Sequence, residues 1–145
     1  SLLLLAAMLG TTSVVACPPG YEPDAGVLEA YRSLGGRVQV TTEVRDAIED
    51  ADVVYTDTWM SMGQEGDREQ GLEAFQRYQV NDRLLGFAPA NALVMHCLPA
   101  HRGEEITDAV LDGPRSLILD QAENRLHAQK AIILNLLGGL SLHGD

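Results

Sequence analysis

Short apolar runs alternate with longer, mixed segments along this chain of 145 residues. The clearest runs are DVVYT at residues 52–56 and ALVMH at residues 92–96, which are apolar on both faces, as in strands that are covered on both sides. The longest mixed segment, residues 123–137, is typical of a helix, and Gly138-Gly139 would end it. The pattern therefore predicts short strands that alternate with helices.

The predicted elements cover most of the chain. Helices are expected at residues 1–10, 25–34, 43–49, 66–78, 81–87, 106–111 and 123–137, and strands at residues 12–17, 38–42, 52–56, 92–96 and 116–120. Asn81 is a candidate N-cap, and Gly35-Gly36 closes the second helix. This order predicts the α/β class, with a parallel sheet flanked by helices in a Rossmann-like three-layer sandwich. Ligands of such sheets bind at the carboxyl ends of the strands, here from Asp57, Cys97 and Gln121 onward.

Composition narrows the class of function. The net charge is −11 at pH 7, which opposes nucleic-acid binding because phosphate contacts require a basic surface. The sequence has no G-x-G-x-x-G or Walker A motif, so no nucleotide cofactor is indicated. Its two cysteines, Cys17 and Cys97, lie far apart and imply no disulfide framework. We therefore expect a cytoplasmic protein that handles small molecules.

The first stretch that could carry chemistry is D-T-W-M-S-M-G-Q-E at residues 57–65, which follows a predicted strand. Asp57 could pair with a cationic amine, and the apolar loop after it could cover the pair. The alternative is a helix N-cap followed by a hydrophobic loop. The residues alone favour that alternative.

The second stretch is H-C-L-P-A-H-R-G-E-E at residues 96–105. Cys97 stands beside His96 and near His101 and Arg102, and cationic neighbours are expected to lower the pKa of a thiol. Three interpretations remain open: a buried structural cysteine, a zinc site formed by His96, Cys97 and His101, and a substrate-contacting cysteine. The zinc spacing matches no common closed site, and the structural cysteine is the simplest interpretation.

The third stretch is Glu123-Asn124-Arg125, near the start of the last predicted helix. The planar guanidinium of Arg125 could bind a phosphate or a carbonyl oxygen. A surface salt bridge is the alternative, and such pairs contribute little to stability. Each stretch is weak alone, but an open α/β sheet would bring all three to one edge, which favours the functional interpretation.

In this order, the three stretches resemble the aspartate/ornithine carbamoyltransferase family. D-T-W-M-S-M-G-Q-E is similar to the ornithine-contacting loop of ornithine carbamoyltransferases. H-C-L-P-A-H-R-G-E-E is similar to the stretch that carries the HCLP motif of the family. E-A-F-Q-R-Y-Q-V-N and A-E-N-R-L-H-A-Q-K-A match as well. Aspartate carbamoyltransferases carry proline where this chain has Cys97, and they lack the S-M-G loop. The resemblance covers essentially the whole chain.

The resemblance implies transfer of a carbamoyl group from carbamoyl phosphate to the δ-amine of L-ornithine, which yields citrulline and phosphate without a cofactor or a metal. Asp57, Ser61 and Met62 would hold the amino-acid end of ornithine, with Asp57 paired to the α-ammonium group. Other amines, such as putrescine or lysine, remain alternatives, as does a non-catalytic α/β binding module.

The resemblance also assigns two catalytic residues, Cys97 and Arg125. Cys97 would lie against the δ-amine as a proton acceptor. Carbamoyl phosphate would contact Cys97, Leu98 through its carbonyl oxygen, and Arg125. Arg125 would also stabilise the charge of the tetrahedral intermediate.

The family also has an N-terminal lobe with a Ser-Thr-Arg-Thr-Arg phosphate-binding motif, and its enzymes are homotrimers. No such motif occurs in residues 1–145, and the chain starts inside an apolar run that is too short to span a membrane. We therefore expect residues 1–145 to be the C-terminal, ornithine-binding domain, truncated at its N-terminal edge and without the carbamoyl phosphate-binding lobe. Alone, it is expected to be inactive.

Overall fold

The structure is a computed structural model that describes residues 2–59 and 68–138, with side chains given except at 68–71. The described residues form four strands, seven α-helices and a short 3-10 helix at Gln76–Tyr78. The strands are β1 (Thr12–Ala16), β2 (Arg37–Thr41), β3 (Val53–Thr56) and β4 (Leu93–His96). The helices are α1 (Leu2–Met8), α2 (Ala25–Ser33), α3 (Val44–Ile48), α4 (Arg68–Phe75), α5 (Asp82–Leu85), α6 (Asp108–Leu111) and α7 (Ile118–Leu136).

The strands pair in parallel, β1 with β2 and β3 with β4. Helix α2 connects the first pair, and α4 and α5 lie between the strands of the second. Parallel strands require such crossover connections, because a hairpin can join only antiparallel strands. The predicted class, a parallel α/β sandwich with flanking helices, is therefore confirmed.

Most of the core lies beneath β4. Val94 and Ile106 are fully buried and pack with apolar residues of the neighbouring helices. The buried members of this cluster are Ile48, Val80, Leu85, Val94, Ile106, Val110 and Ile118. The cluster holds β4 between the helices and so fixes the direction in which that strand leaves the sheet.

Tyr31 and Gly36 join α2 to β1 and α1. Tyr31 is fully buried, and its hydroxyl donates to the Thr11 carbonyl oxygen at 2.9 Å. A Cβ atom at position 36 would lie 2.2 Å from a ring carbon of Tyr31, so only glycine allows this approach. The predicted glycine pair therefore has a packing role in addition to ending α2.

The predicted helix caps are confirmed. Asn81 Oδ1 accepts the Leu84 N–H at 2.9 Å, which caps α5. Gly35 follows α2 with φ of 81°, and Gly138 follows α7 with φ of 75°. Both have the left-handed conformation that commonly ends a helix.

The strand predicted at residues 116–120 is wrong. Ser116 forms one isolated parallel bridge with Val94, and α7 already begins at Ile118. The Gln121 N–H donates to the Leu117 carbonyl oxygen at 2.8 Å, as in a first helical turn. A short apolar run fits a strand or a buried helix start equally well, and here the long helix-forming sequence after it decides. The helix predicted from residue 66 is described from Arg68 onward, and residues 66 and 67 lie outside the described part.

The second pair of strands differs in burial. Val94 and His96 of β4 are buried, whereas Val53 of β3 is 46% exposed, so β3 is less covered than predicted. A cleft of about 320 Å³ runs beside β3, between it and β1, and reaches Asp57. β1 and β3 belong to different two-stranded sheets.

Helix α7 packs on β4 by its start and exposes apolar side chains further along. Leu126, Ile132, Ile133, Leu134, Leu136 and Leu137 are all exposed. None of the helices in the described part of the chain combines the length and apolarity that crossing a membrane requires.

Two neighbouring residues of α7 test this packing. Ile118 is 1% exposed and Leu119 is 76% exposed. Ile118→Ala should lower the free energy of unfolding by about 2–5 kcal/mol, because it removes buried methyl groups and leaves a cavity. Leu119→Ala, the matched control, should change it by no more than about 0.5 kcal/mol. Urea denaturation measures both, and equal losses would contradict the assigned direction of α7.

Candidate active site

The carboxyl ends of β3 and β4 bring Asp57 and Cys97 together. Thr56 pairs with His96 in the last register position of the two strands. The next residue of each strand therefore leaves the sheet at the same edge. There the Cys97 thiol donates to Asp57 Oδ1, with Sγ and Oδ1 2.9 Å apart. Two residues that the sequence placed in separate motifs thus form one contact.

The Asp57 side chain is exposed but held in place. Its Oδ1 accepts the Thr58 N–H at 2.7 Å as well as the Cys97 thiol. Within the residues that the structure describes, all hydrogen bonds to this carboxylate go to Oδ1. Oδ2 is therefore available to a cationic donor.

The surroundings of Cys97 favour its protonated thiol. Burial raises the pKa of Cys97, and so does its hydrogen bond to the Asp57 carboxylate, while a hydrogen bond with Tyr55 opposes the shift. Both main causes disfavour a thiolate, since one removes water and the other adds a nearby negative charge.

The lowered thiol pKa predicted from the sequence is therefore wrong. The Arg102 guanidinium contacts Asp112 at 2.7 Å and also pairs with Asp108, so its charge is neutralised away from Cys97. The two aspartates hold the pKa of Arg102 above its ordinary value, and Arg102 holds that of Asp112 below. Closeness in sequence did not place this cation beside the thiol.

Leu98 occupies a tight turn directly after Cys97. Its φ is 57°, in the left-handed region that side chains disfavour, and its peptide bond to Pro99 is cis. The Leu98 N–H donates to His96 Nδ1 at 2.8 Å. The turn therefore folds back onto the strand from which it leaves.

His96 is bonded at both ring nitrogens. Nδ1 accepts from Leu98, and Nε2 lies 3.1 Å from Glu105 Oε1, with both residues buried. His96 thus has no ring nitrogen left for a metal, which removes a member of the zinc set considered above. The described residues that could hold a metal are His101, Glu104 and Glu105, whose ligand atoms lie within 4.8 Å of one another.

Tyr55 and Gln121 belong to the site, although the sequence did not single out their side chains. Gln121 Oε1 accepts the backbone N–H of His96 at 3.1 Å. Burial raises the pKa of Tyr55, its hydrogen bond with Cys97 raises it further, and one with Gln121 opposes this. Tyr55 therefore lies near enough to both residues for them to affect its pKa. Its position two residues before Asp57 is the available signal, because alternate residues of a strand share a face.

The remaining predicted site residues differ in their burial and in their distance from the Asp57–Cys97 contact. Arg125 is exposed on α7, one turn beyond Gln121 and about 6 Å further along the axis. Leu98 and Cys97 are half-buried in the turn. Ser61 and Met62 lie outside the described residues. The structure thus joins Asp57, Cys97 and Leu98 at one edge, and the side chain of Gln121 holds the start of the helix that carries Arg125.

Known proteins share both the sequence and the fold. The family model described as "Aspartate/ornithine carbamoyltransferase, Asp/Orn binding domain" matches residues 1–136. Ornithine carbamoyltransferases of Methanosarcina mazei and Archaeoglobus fulgidus are 54% and 51% identical over 137 and 138 residues. These matches cover 94% and 95% of this chain but 45% of each relative.

A solved structure agrees. That of ornithine carbamoyltransferase from Pyrococcus furiosus superposes with a TM-score of 0.89 at 47% identity, covering 97% of this chain and 46% of that one. The chain thus spans about half the length of the relatives it matches. The resemblance predicted from its motifs is confirmed: the chain belongs to the aspartate/ornithine carbamoyltransferase family and matches the Asp/Orn-binding domain of that family.

Proposed function

We propose that this chain supplies the ornithine side of an ornithine carbamoyltransferase active site. The reaction would transfer the carbamoyl group of carbamoyl phosphate to the δ-amine of L-ornithine, giving citrulline and phosphate. The observation that carries the proposal is the contact of Cys97 with Asp57 at the edge of β3 and β4. The matched relatives, named ornithine carbamoyltransferases, support it.

The domain assignment is part of this proposal. Residues 1–145 would form the ornithine-binding, C-terminal domain, and the carbamoyl phosphate-binding lobe and the contacts of a homotrimer would come from other parts of the enzyme. The extent of the match, about half of each relative, supports this division. We place the reaction in the cytoplasm, as expected for a chain without a disulfide framework.

Asp57 would bind the α-ammonium group of ornithine through Oδ2. A carboxylate with one oxygen already held by Thr58 and Cys97 has a fixed orientation, so binding an ammonium there requires little further ordering. Ser61 and Met62 would complete the pocket for the amino-acid end, as the family resemblance implies.

Cys97 would accept the proton that the attacking amine must lose. The δ-amine attacks the carbamoyl carbon, the new C–N bond forms, and the C–O bond to phosphate then breaks. In the free chain, burial and the Asp57 carboxylate favour the protonated thiol of Cys97. An ammonium on Asp57 neutralises that charge, so ornithine itself would lower the pKa of Cys97. The thiol would lose its proton to solvent, and the resulting thiolate would accept the proton of the amine. The substrate would thus prepare its own proton acceptor.

Arg125 and Leu98 would act on carbamoyl phosphate. The Arg125 guanidinium can stabilise the negative oxygen of the tetrahedral intermediate with two parallel N–H groups. The Leu98 carbonyl oxygen can accept a hydrogen bond from the carbamoyl amide. Its left-handed backbone conformation determines where that oxygen points.

A citrulline assay tests the transferase proposal. The chain is joined to the N-terminal lobe of the P. furiosus relative and supplied with carbamoyl phosphate and L-ornithine. The joined protein should form citrulline, and residues 1–145 alone should form none. Arg125→Ala should lower kcat roughly 100- to 1000-fold, the cost of removing an oxyanion donor. Asp57→Ala should raise KM for ornithine about 10- to 100-fold, because it removes a charge-assisted hydrogen bond.

Exposed residues of the same types provide the controls. Arg83→Ala and Asp50→Ala change equivalent charges outside the site and should leave both constants unchanged. Equal rates with putrescine would oppose the role of Asp57, because putrescine has no α-amino-acid end. A well-folded joined protein without activity would instead favour a non-catalytic binding module.

The control of Cys97 by Asp57 can be measured in this chain alone. The alkylation rate of Cys97 as a function of pH reports the thiol pKa, and peptide mass mapping separates it from Cys17. The midpoint should lie above that of an ordinary thiol, and Asp57→Asn should lower it by removing the charge that disfavours the thiolate. Cys17, whose raised pKa comes from burial and Glu22, is the internal control. An unchanged midpoint in Asp57→Asn would refute the coupling.

A further inference from the structure

A buried chain of hydrogen bonds lies behind the Cys97–Leu98 turn. It runs from Glu105 through the His96 ring to the backbone N–H of Leu98. We propose that Glu105 is a positioning residue that fixes the proton of His96 on Nε2 and thereby holds the turn that carries Cys97 and Leu98. Its consequence for catalysis rests on the function proposed above.

The contacts of Glu105 leave it little freedom. Its side chain is fully buried, and its Oε1 lies 3.1 Å from His96 Nε2 and accepts the His101 N–H. Its own carbonyl oxygen accepts the Val80 N–H at 2.8 Å, which ties the backbone to the core. The acceptor offered to His96 is therefore held from both sides.

This acceptor determines the tautomer of His96. A backbone N–H can only donate, so the Leu98 N–H requires a lone pair on Nδ1. The ring proton must then be on Nε2, where Glu105 Oε1 accepts it. Without that acceptor, the proton would either remain unpaired in a buried site or move to Nδ1 and oppose the Leu98 N–H. Either outcome weakens the hydrogen bond that holds the turn.

The placement of Glu105 is costly for stability. Its Oε2 is buried without a hydrogen-bond partner, and His101 Nδ1 lies 3.7 Å away from it. Replacing such a buried ionic group with an apolar side chain of similar size is often neutral or stabilising. We therefore attribute the burial of this carboxylate to its role in positioning His96, and not to a contribution to folding stability.

The turn needs this support. Leu98 has φ of 57°, which costs about 1 kcal/mol or more for a residue with a Cβ atom. The hydrogen bond to His96 offsets that cost. If the turn relaxed, the Cys97 thiol would leave Asp57, and the Leu98 carbonyl oxygen would change direction. Both atoms have roles in the proposed reaction.

Two substitutions separate the acceptor from the volume it fills. Glu105→Leu removes the acceptor and keeps a similar size, whereas Glu105→Gln keeps an acceptor oxygen. In this chain, Glu105→Leu should reduce the exchange protection of the Leu98 amide by about tenfold or more. It should also lower the alkylation midpoint of Cys97, because the thiol leaves Asp57. Glu105→Gln should stay close to the parent in both measurements, and so should Glu29→Gln on the exposed face of α2.

A folded Glu105→Leu variant with unchanged Leu98 protection and an unchanged Cys97 midpoint would overturn the proposal. If this variant does not fold, the position of the His96 ring proton in the unsubstituted chain still tests the proposal. Nitrogen NMR of the His96 ring should find the proton on Nε2, and a proton on Nδ1 would refute the mechanism.

The effect of Glu105 on catalysis is measured in the chain joined to the N-terminal lobe of the P. furiosus relative. Glu105→Leu should lower kcat roughly 10- to 100-fold, the effect of misplacing reacting groups, with a smaller change in KM for ornithine because Asp57 is intact. Glu105→Gln should restore most of the activity. If kcat is unchanged in an active Glu105→Leu enzyme, the positioning role fails. If the joined parent is inactive, the proposed function fails, and the amide and thiol measurements still decide the role of Glu105.

Discussion

The parallel register of β3 and β4 is the constraint on which the site depends. Because Thr56 pairs with His96, the residues that follow them meet at one edge, and a thiol and a carboxylate forty positions apart come within 2.9 Å. A shift of one residue in either strand would turn the two side chains to opposite faces. The core beneath β4 favours this register, because a one-residue slip of β4 would turn Val94 out of its buried position.

Charge then couples the two residues. Asp57 disfavours a thiolate on Cys97 while the carboxylate has no cation bound, and a thiol is a weaker nucleophile than a thiolate. In the proposed reaction the same carboxylate binds the substrate's ammonium, and one electrostatic interaction serves both recognition and activation. Helix α7 is held at this edge by Gln121, which brings Arg125 within a helical turn of it.

The sequence predicted the α/β class, the helix caps and the placement of Asp57 and Cys97 at one edge of the sheet, because strand ends and motif residues are local properties. It failed where partners are distant or local signals are ambiguous. Arg102 lies near Cys97 in sequence but pairs with Asp112, and the apolar run after Ser116 begins a helix. Gln121 drew attention only as a supposed strand end, whereas its side chain contacts His96 across the fold. Glu105 ended the second stretch without an assigned role, and no local pattern marks its burial.

Burial divides the site by task. Asp57 and Arg125 are exposed, so in the proposed reaction they would exchange water for substrate at a small desolvation cost, whereas His96 and Glu105 are buried. Hydrogen bonds are stronger and more directional in that low-dielectric interior, which suits groups that must hold a conformation. Cys97 and Leu98 are half-buried and lie between these two groups. The buried His96 and Glu105 would set their orientation, and the exposed Asp57 affects the pKa of the thiol. A change in the buried layer should therefore act mainly on geometry, and a change in the exposed layer mainly on binding.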